Sequence, residues 1–307
     1  MNSPLPFKRH IAIPILLGLG TGFATNHVSA RIAFDHGAGL LTAILWRSGM
    51  SLICLTLLLL WQRHSLRFER KLWPWQLTLG LLVAFQSFCI FSAVARIPVG
   101  IALLVANTFP ILLALLNWAV SGKRPSKASV VIMGMILFGL IWVLDAPMWF
   151  MNSEQLSSTW FLGLLFAFGA ATCFAFILWI SENRLANLYG PVRSFYTIGI
   201  VFFSMLGLSF TGALEGGTAL PVDATGWFAL IAVGFFYSCA FIGLFVLTPR
   251  LNLSQNAPAL NIEPVASLIL AWILLEQSLN GRQIFGSAMV VTGIIALASV
   301  HRSKRSS

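Results

Sequence analysis

Charge is scarce in this chain. Only 9% of its 307 residues are Asp, Glu, Lys or Arg, while 58% are hydrophobic; a soluble domain carries about a quarter charged. So few charges cannot clothe a water-facing surface, which excludes an ordinary soluble globular fold, and a mean hydropathy of +0.87 fits a chain solvated by lipid. Cysteine offers no framework either. Cys54, Cys89, Cys173 and Cys239 fall in separate apolar runs without metal-ligand spacing, so they read as buried small hydrophobes rather than disulfides or metal ligands. The common catalytic signatures are missing as well: there is no Gly-rich loop ending in Gly-Lys-Ser/Thr, no His-Glu-x-x-His and no Gly-x-Ser-x-Gly. That removes the sequence basis for nucleotide hydrolysis and the familiar hydrolases. The loops are short, so no soluble catalytic domain, no enzyme activity and no cofactor are expected.

Long apolar runs are what the chain has in abundance. Crossing a ~30 Å hydrocarbon core takes about 20 residues, and the sequence predicts ten such spans. They lie at about 11–33, 40–61, 76–95, 99–121 and 128–146 in the first half, and about 160–180, 193–213, 226–248, 255–276 and 283–301 in the second. Runs this continuous favour helices over the alternating strands of a membrane barrel. The basic start and V-x-A ending of "FKRHIAIPILLGLGTGFATNHVSA" would also suit a cleaved leader, but its removal would leave an odd number of helices. The fold class expected is an all-α membrane protein of ten helices.

The +10 formal charge orients the chain. With the N-terminus in the cytoplasm, Lys8, Arg9, Arg63, Arg67, Arg70, Lys71, Lys123, Arg124, Lys127, Arg184, Arg193, Arg250, Arg302, Lys304 and Arg305 fall inside. Only Arg31, Arg96 and Arg282 lie at outer ends, with Asp35, Asp145, Glu154, Glu215, Asp223 and Glu276. The positive-inside rule then places both termini in the cytoplasm of a plasma (inner) membrane, and nucleic acid drops out as a partner.

Two matching motifs divide the chain. "NTFP", Asn107 to Pro110, and "NIEP", Asn261 to Pro264, each lie in an apolar run and are each followed by a tryptophan, Trp118 and Trp272. The predicted fourth and ninth helices that carry them run in opposite directions, because five helices per half is an odd number. The halves 11–146 and 160–301 therefore read as inverted repeats, a construction that puts a substrate site near the midplane between them.

These residues resemble the drug/metabolite transporter superfamily, specifically transporters with two EamA-type repeats. The similarity is most specific in "LNIEPVASLILAWILLEQSLNGRQIFGSAMVVTGIIAL", with "ALLVANTFPILLALLNWAVSGKRPS" as its first-repeat counterpart and Asn26 and the "LWRSG" around Arg47 matching in helices 1 and 2. One departure is Lys123, where the first repeat usually carries a Glu that would pair in role with Glu276. The resemblance implies a ten-helix basket around a central cavity, with helices 5 and 10 at the periphery. It also implies ATP-independent transport of small organic solutes, often efflux.

The candidate site residues are polar groups inside these spans. Proline inside a helix removes a hydrogen bond and collides with the carbonyl four residues earlier, so Pro110 and Pro264 read as bends lining a cavity, or as packing kinks. Asn107 and Asn261 beside them offer donors and acceptors. Glu263 is the one acid well inside a predicted span, where ionisation costs about 2.5–3.5 kcal/mol and demands water, a partner or a proton. Arg47 is a candidate partner for a substrate carboxylate or for Glu263, with snorkelling to the headgroups as the competing reading. His27, beside Asn26, suits proton coupling or plain packing. Gln86 and Tyr237 read as lining, and Trp46, Trp118, Trp179 and Trp272 as flat cavity walls. The function expected is export of a small metabolite or amino-acid-like solute by alternating access. A metabolite importer and a non-transporting membrane assembly subunit are the alternatives. The partners expected are the solute and the bilayer, with a homodimer left open.

Overall fold

The computed structural model describes residues 7–63, 65–122, 126–143, 158–214, 216–251 and 262–303. Among them the chain forms helices and no strand: α1 (Arg9–Asp35), α2 (Leu40–Trp61), α3 (Trp73–Val94), α4 (Val99–Ala106), α5 (Phe109–Ser121), α6 (Lys127–Val143), α7 (Ser158–Asn183), α8 (Gly190–Phe210), α9 (Ala224–Leu251), α10 (Glu263–Leu275) and α11 (Gly281–Ser303). Seven segments are long and apolar enough to cross a membrane, the α4–α5 run counting as one, while α6, α10 and the 281–296 part of α11 are shorter apolar helices. Two of the ten expected spans, 128–146 and 255–276, extend into positions outside the described residues.

Local chemistry explains the helix ends. Proline stands in the first two positions of α3, α5, α8 and α10, where its missing N–H would have had no intrahelical acceptor. That corrects the expectation of Pro110 and Pro264 as interior kinks. Pro110 opens α5 after a break at Asn107 and Thr108, and Pro264 is the second residue of α10, so each motif starts a helix. At the first break Asn107 Nδ2 donates to the Leu103 carbonyl at 2.8 Å and Thr108 Oγ1 to the Val105 carbonyl at 2.7 Å, beside the main-chain N–H groups of Asn107 and Thr108 that the same carbonyls also accept. Both helices then end in a left-handed residue, Gly122 at φ +67° and Glu276 at φ +54°. The second motif therefore sets Glu276 opposite Gly122, and Lys123 lies outside the described residues. The start of α11 is a reciprocal cap in which the Asn280 N–H reaches Gln283 Oε1 at 3.0 Å and the Gln283 N–H reaches Asn280 Oδ1 at 2.8 Å. α6 opens likewise, the Ser129 N–H donating to Ser126 Oγ at 3.1 Å.

Packing follows a pattern that survives exchange of the two halves. α1 lies along α9 as α7 lies along α3; α2 meets α9 as α8 meets α3; α1 meets α10 as α7 meets α4 and α5. The remaining extensive contacts, α2 with α8, α4 with α10 and α6 with α11, map onto themselves. α6 and α11 approach closely at glycine: a Cβ on Gly286 would sit 2.6 Å from the Gly139 carbonyl, the small-residue contact that membrane helices favour. The main core draws buried side chains from every one of these helices, with Phe91, Val94, Leu103 and Leu104 among them.

Candidate functional site

Five helices drawn from both halves bring the buried polar groups together. His27 (α1) and Glu263 (α10) approach at 3.6 Å between Nε2 and Oε1, close enough for an ion pair when the imidazole is protonated, though long for a hydrogen bond. Glu263 is the first residue of α10, where helix N–H groups favour a negative side chain. Imidazole Nδ1 is buried and has no hydrogen-bond partner among the described residues, and the ring stands edge-on to Phe91 with centroids 5.9 Å apart. Arg47 (α2) covers Phe91 (α3) from 4.6 Å and Tyr237 (α9) from 4.2 Å, and donates to Ser87 Oγ at 2.7 Å. Tyr237 stacks in turn on Phe241 and meets Phe23 edge-on. At 1.5 Å rise per residue, His27, Arg47 and Tyr237 lie about 10–20 Å from the ends of their helices next to the 36–39 and 211–223 connections.

The structure gathers some of the expected residues and separates others. His27, Arg47, Tyr237 and Glu263 converge. Glu263 is faced by His27 rather than by Arg47, and Arg47, only 4% exposed, does not snorkel. Asn26 is fully buried at the α1–α9 contact; with its amide turned so that nitrogen meets carbonyl, it donates to Val233 at 3.2 Å and accepts from the His27 N–H at 3.2 Å. Asn107 is taken up by the α4 terminus, and Gln86 is half-buried beside Ser87. Trp179 belongs to another cluster with Trp75 and Leu185, near the Arg184 guanidinium 5.8 Å from its ring. Trp272 is 65% exposed and Trp118 46%, so both face outward instead of walling a cavity, as suits the apolar outer face of a helix in lipid. Asn261 lies outside the described residues. Ser87 and Phe91 were not singled out from sequence, since serine and phenylalanine are commonplace in apolar helices. Ser87 standing one residue after Gln86 was the available hint. A small hollow lined by Pro98, Gly100, Leu268 and Gln277 lies between α4 and α10, apart from this cluster.

A second junction closes the end of the bundle nearer these groups. The Gly39 N–H donates to the Ala219 carbonyl at 2.8 Å, the Leu41 N–H to Gly217 at 2.8 Å, and the Val222 N–H to the His36 carbonyl at 3.0 Å. His36 Nδ1 meets Asp223 Oδ2 at 2.7 Å. The α1–α2 and α8–α9 connections are thereby tied across the halves. Asp223 also caps α9, its Oδ1 accepting the Gly226 N–H at 2.8 Å. That bond first, and the His36 contact second, hold its carboxyl below the usual range.

Comparison with known proteins adds the family. A model described as the EamA-like transporter family matches residues 10–145 and again 153–299. One solved structure, described only as "Crystal structure of protein", is similar at a TM-score of 0.63 and 21% identity, with 98% of this chain and 100% of that chain covered; at that identity it speaks for the fold alone. No curated protein matches. With nearly the whole chain matched in two successive repeats and its apolar helices bundled as described, this multi-pass membrane protein belongs to the EamA-like transporter family of the drug/metabolite transporter superfamily.

Proposed function

We propose that the chain is a secondary carrier that exports a small metabolite or amino-acid-like solute by alternating access between two inverted halves of five spans each, 11–146 and 160–301. The observation that carries this reading is the joining of His27 and Arg47 from the first half to Tyr237 and Glu263 from the second. A carrier that rocks one half against the other needs its site at that seam. The exchange-symmetric packing supports inversion, and the cationic excess on one set of loops supports cytoplasmic termini in the plasma membrane. In the proposed cycle Glu263 exchanges a proton as solute loads and leaves. His27 steadies its ionised form, since an unpaired carboxylate in a dry bundle is costly.

An export profile tests the reading. Cells holding wild type, Glu263→Gln or empty vector, at matched membrane levels, are loaded with mixed metabolites and the medium is followed by mass spectrometry. The expected outcome is at least one solute released faster by wild type than by either control, with Glu263→Gln slowed tenfold or more. Release from Glu263→Gln equal to wild type would remove Glu263 from the mechanism while keeping the carrier. No solute above empty vector would end the export reading.

A further inference from the structure

Arg47 is a buried cation that the cluster leaves without a counter-ion. The residue is 4% exposed, and none of the ion pairs among the described residues includes it. The acid nearest in the cluster, Glu263, faces His27 instead. Two ring faces and one serine hydroxyl surround the guanidinium. Ring faces attract the cation and one neutral hydroxyl solvates it in part, but neither carries the negative charge that a buried ion calls for. Of the five N–H donors that a guanidinium carries, the described residues engage one nitrogen, Nη2, through Ser87. What such a group lacks is a planar, singly charged acceptor that two of its N–H groups can hold side by side, and a carboxylate has that shape.

We infer that Arg47 is the docking point for a carboxylate of the transported solute, with the Phe91 and Tyr237 rings as walls for the carbon skeleton beside it. This deepens, and rests on, the carrier reading above. A phosphate monoester brings close to two negative charges, which one guanidinium does not balance, and Glu263 adds a further negative group to the same cluster. Free carboxylates and amino acids both satisfy the Arg47 end. Tyr237 and Ser87 come from different halves of the chain, so an anion drawn to the guanidinium acts where the halves meet.

The test reads ligand chemistry and protein chemistry together. Full-length protein is purified in detergent, and its thermal stability is followed against rising 3-phenylpropionate, L-phenylalanine, L-phenylalanine methyl ester, 2-phenylethylamine and phenyl phosphate. The expected result is saturable stabilisation of wild type by the first two, with the ester, the amine and the phosphate at least tenfold weaker. Arg47→Gln is expected to weaken the acids tenfold or more and to leave the ester unchanged, with Arg47→Lys in between because it keeps the charge and loses the fork. Ester binding equal to acid, acid affinity unchanged in Arg47→Gln, phenyl phosphate above 3-phenylpropionate, or no stabilisation by either acid would each overturn the inference. If Arg47→Gln cannot be purified, the wild-type comparison of acid with ester and the Arg47→Lys series decide. Counterflow of the same probes in proteoliposomes separates the two readings. Acid binding without flux keeps the carboxylate site and removes the carrier. Saturable flux of 2-phenylethylamine, unaltered by Arg47→Gln, keeps the carrier and removes the carboxylate site.

Discussion

Asn26 shows how a single buried amide positions this cluster without lining it. Its nitrogen reaches across from α1 to the Val233 carbonyl of α9, and its oxygen receives the N–H of the next residue, His27. The amide thus fixes both the spacing of two long helices and the backbone that presents the imidazole. Asn26→Leu keeps the volume and removes both bonds, so it is expected to cost about 1–3 kcal/mol. Thermal unfolding in detergent is the check, and an unchanged midpoint would return Asn26 to a packing role. Residue type was legible in the sequence, because a polar group inside an apolar run is conspicuous. The partner was not legible. His27 and Glu263 stand near opposite ends of the chain, and only the packing of α1 against α10 shows that they meet. Trp272 makes the converse point: apolar size fits a cavity wall and a lipid-facing surface equally well, and one letter does not say which side of the helix it occupies.

Elements meet closely at the junction between the α1–α2 and α8–α9 connections. The ties there are largely main-chain, so close approach governs them. A Cβ on Gly39 would run into the Gly217 carbonyl, and one on Gly226 would stand 2.8 Å from the His36 Cβ. Gly39→Ala is therefore expected to separate the connections, at about 1–3 kcal/mol, and to raise proteolysis of the 211–223 connection in the purified protein. Cleavage at the wild-type rate would show that the junction tolerates the methyl group. Acid should loosen the same place. Asp223 is depressed by the Gly226 N–H and by His36, so its contribution is fully present above the ordinary Asp value near 3.9 and is lost as pH falls through the lowered one. The stability gap between wild type and Asp223→Asn should stay level from about pH 8 to pH 5 and shrink only below about pH 4. A gap that closes already near pH 6 would assign the dependence to another group. From sequence, the proline motifs marked where a helix changes character but not how. Proline also suits a first turn, and the asparagine and threonine that finish α4 were legible only as polar neighbours.

Over the whole molecule the two repeats share contacts more than they own them. Every extensive helix pairing joins one half to the other, whereas α1 with α2, α2 with α3 and α8 with α9 touch only lightly. Repetition was legible in the motifs, and the family matches fall in two successive stretches. Interlocking was not legible, because a repeated pattern fits two side-by-side bundles equally well. The arrangement bears on how the chain is made. While the ribosome is still synthesising the second half, α1, α2 and α3 stand in the bilayer with their main neighbours not yet translated. A chain ending after Val143 is expected to be inserted and then degraded within minutes, and co-expression of a second piece beginning at Ser158 should restore its abundance at least severalfold in a pulse-chase. Equal lifetimes with and without that piece would show that the first half matures alone. Quality control at the membrane would on this account act as a completeness check, since the N-terminal helices gain a lasting place only when the last ones arrive.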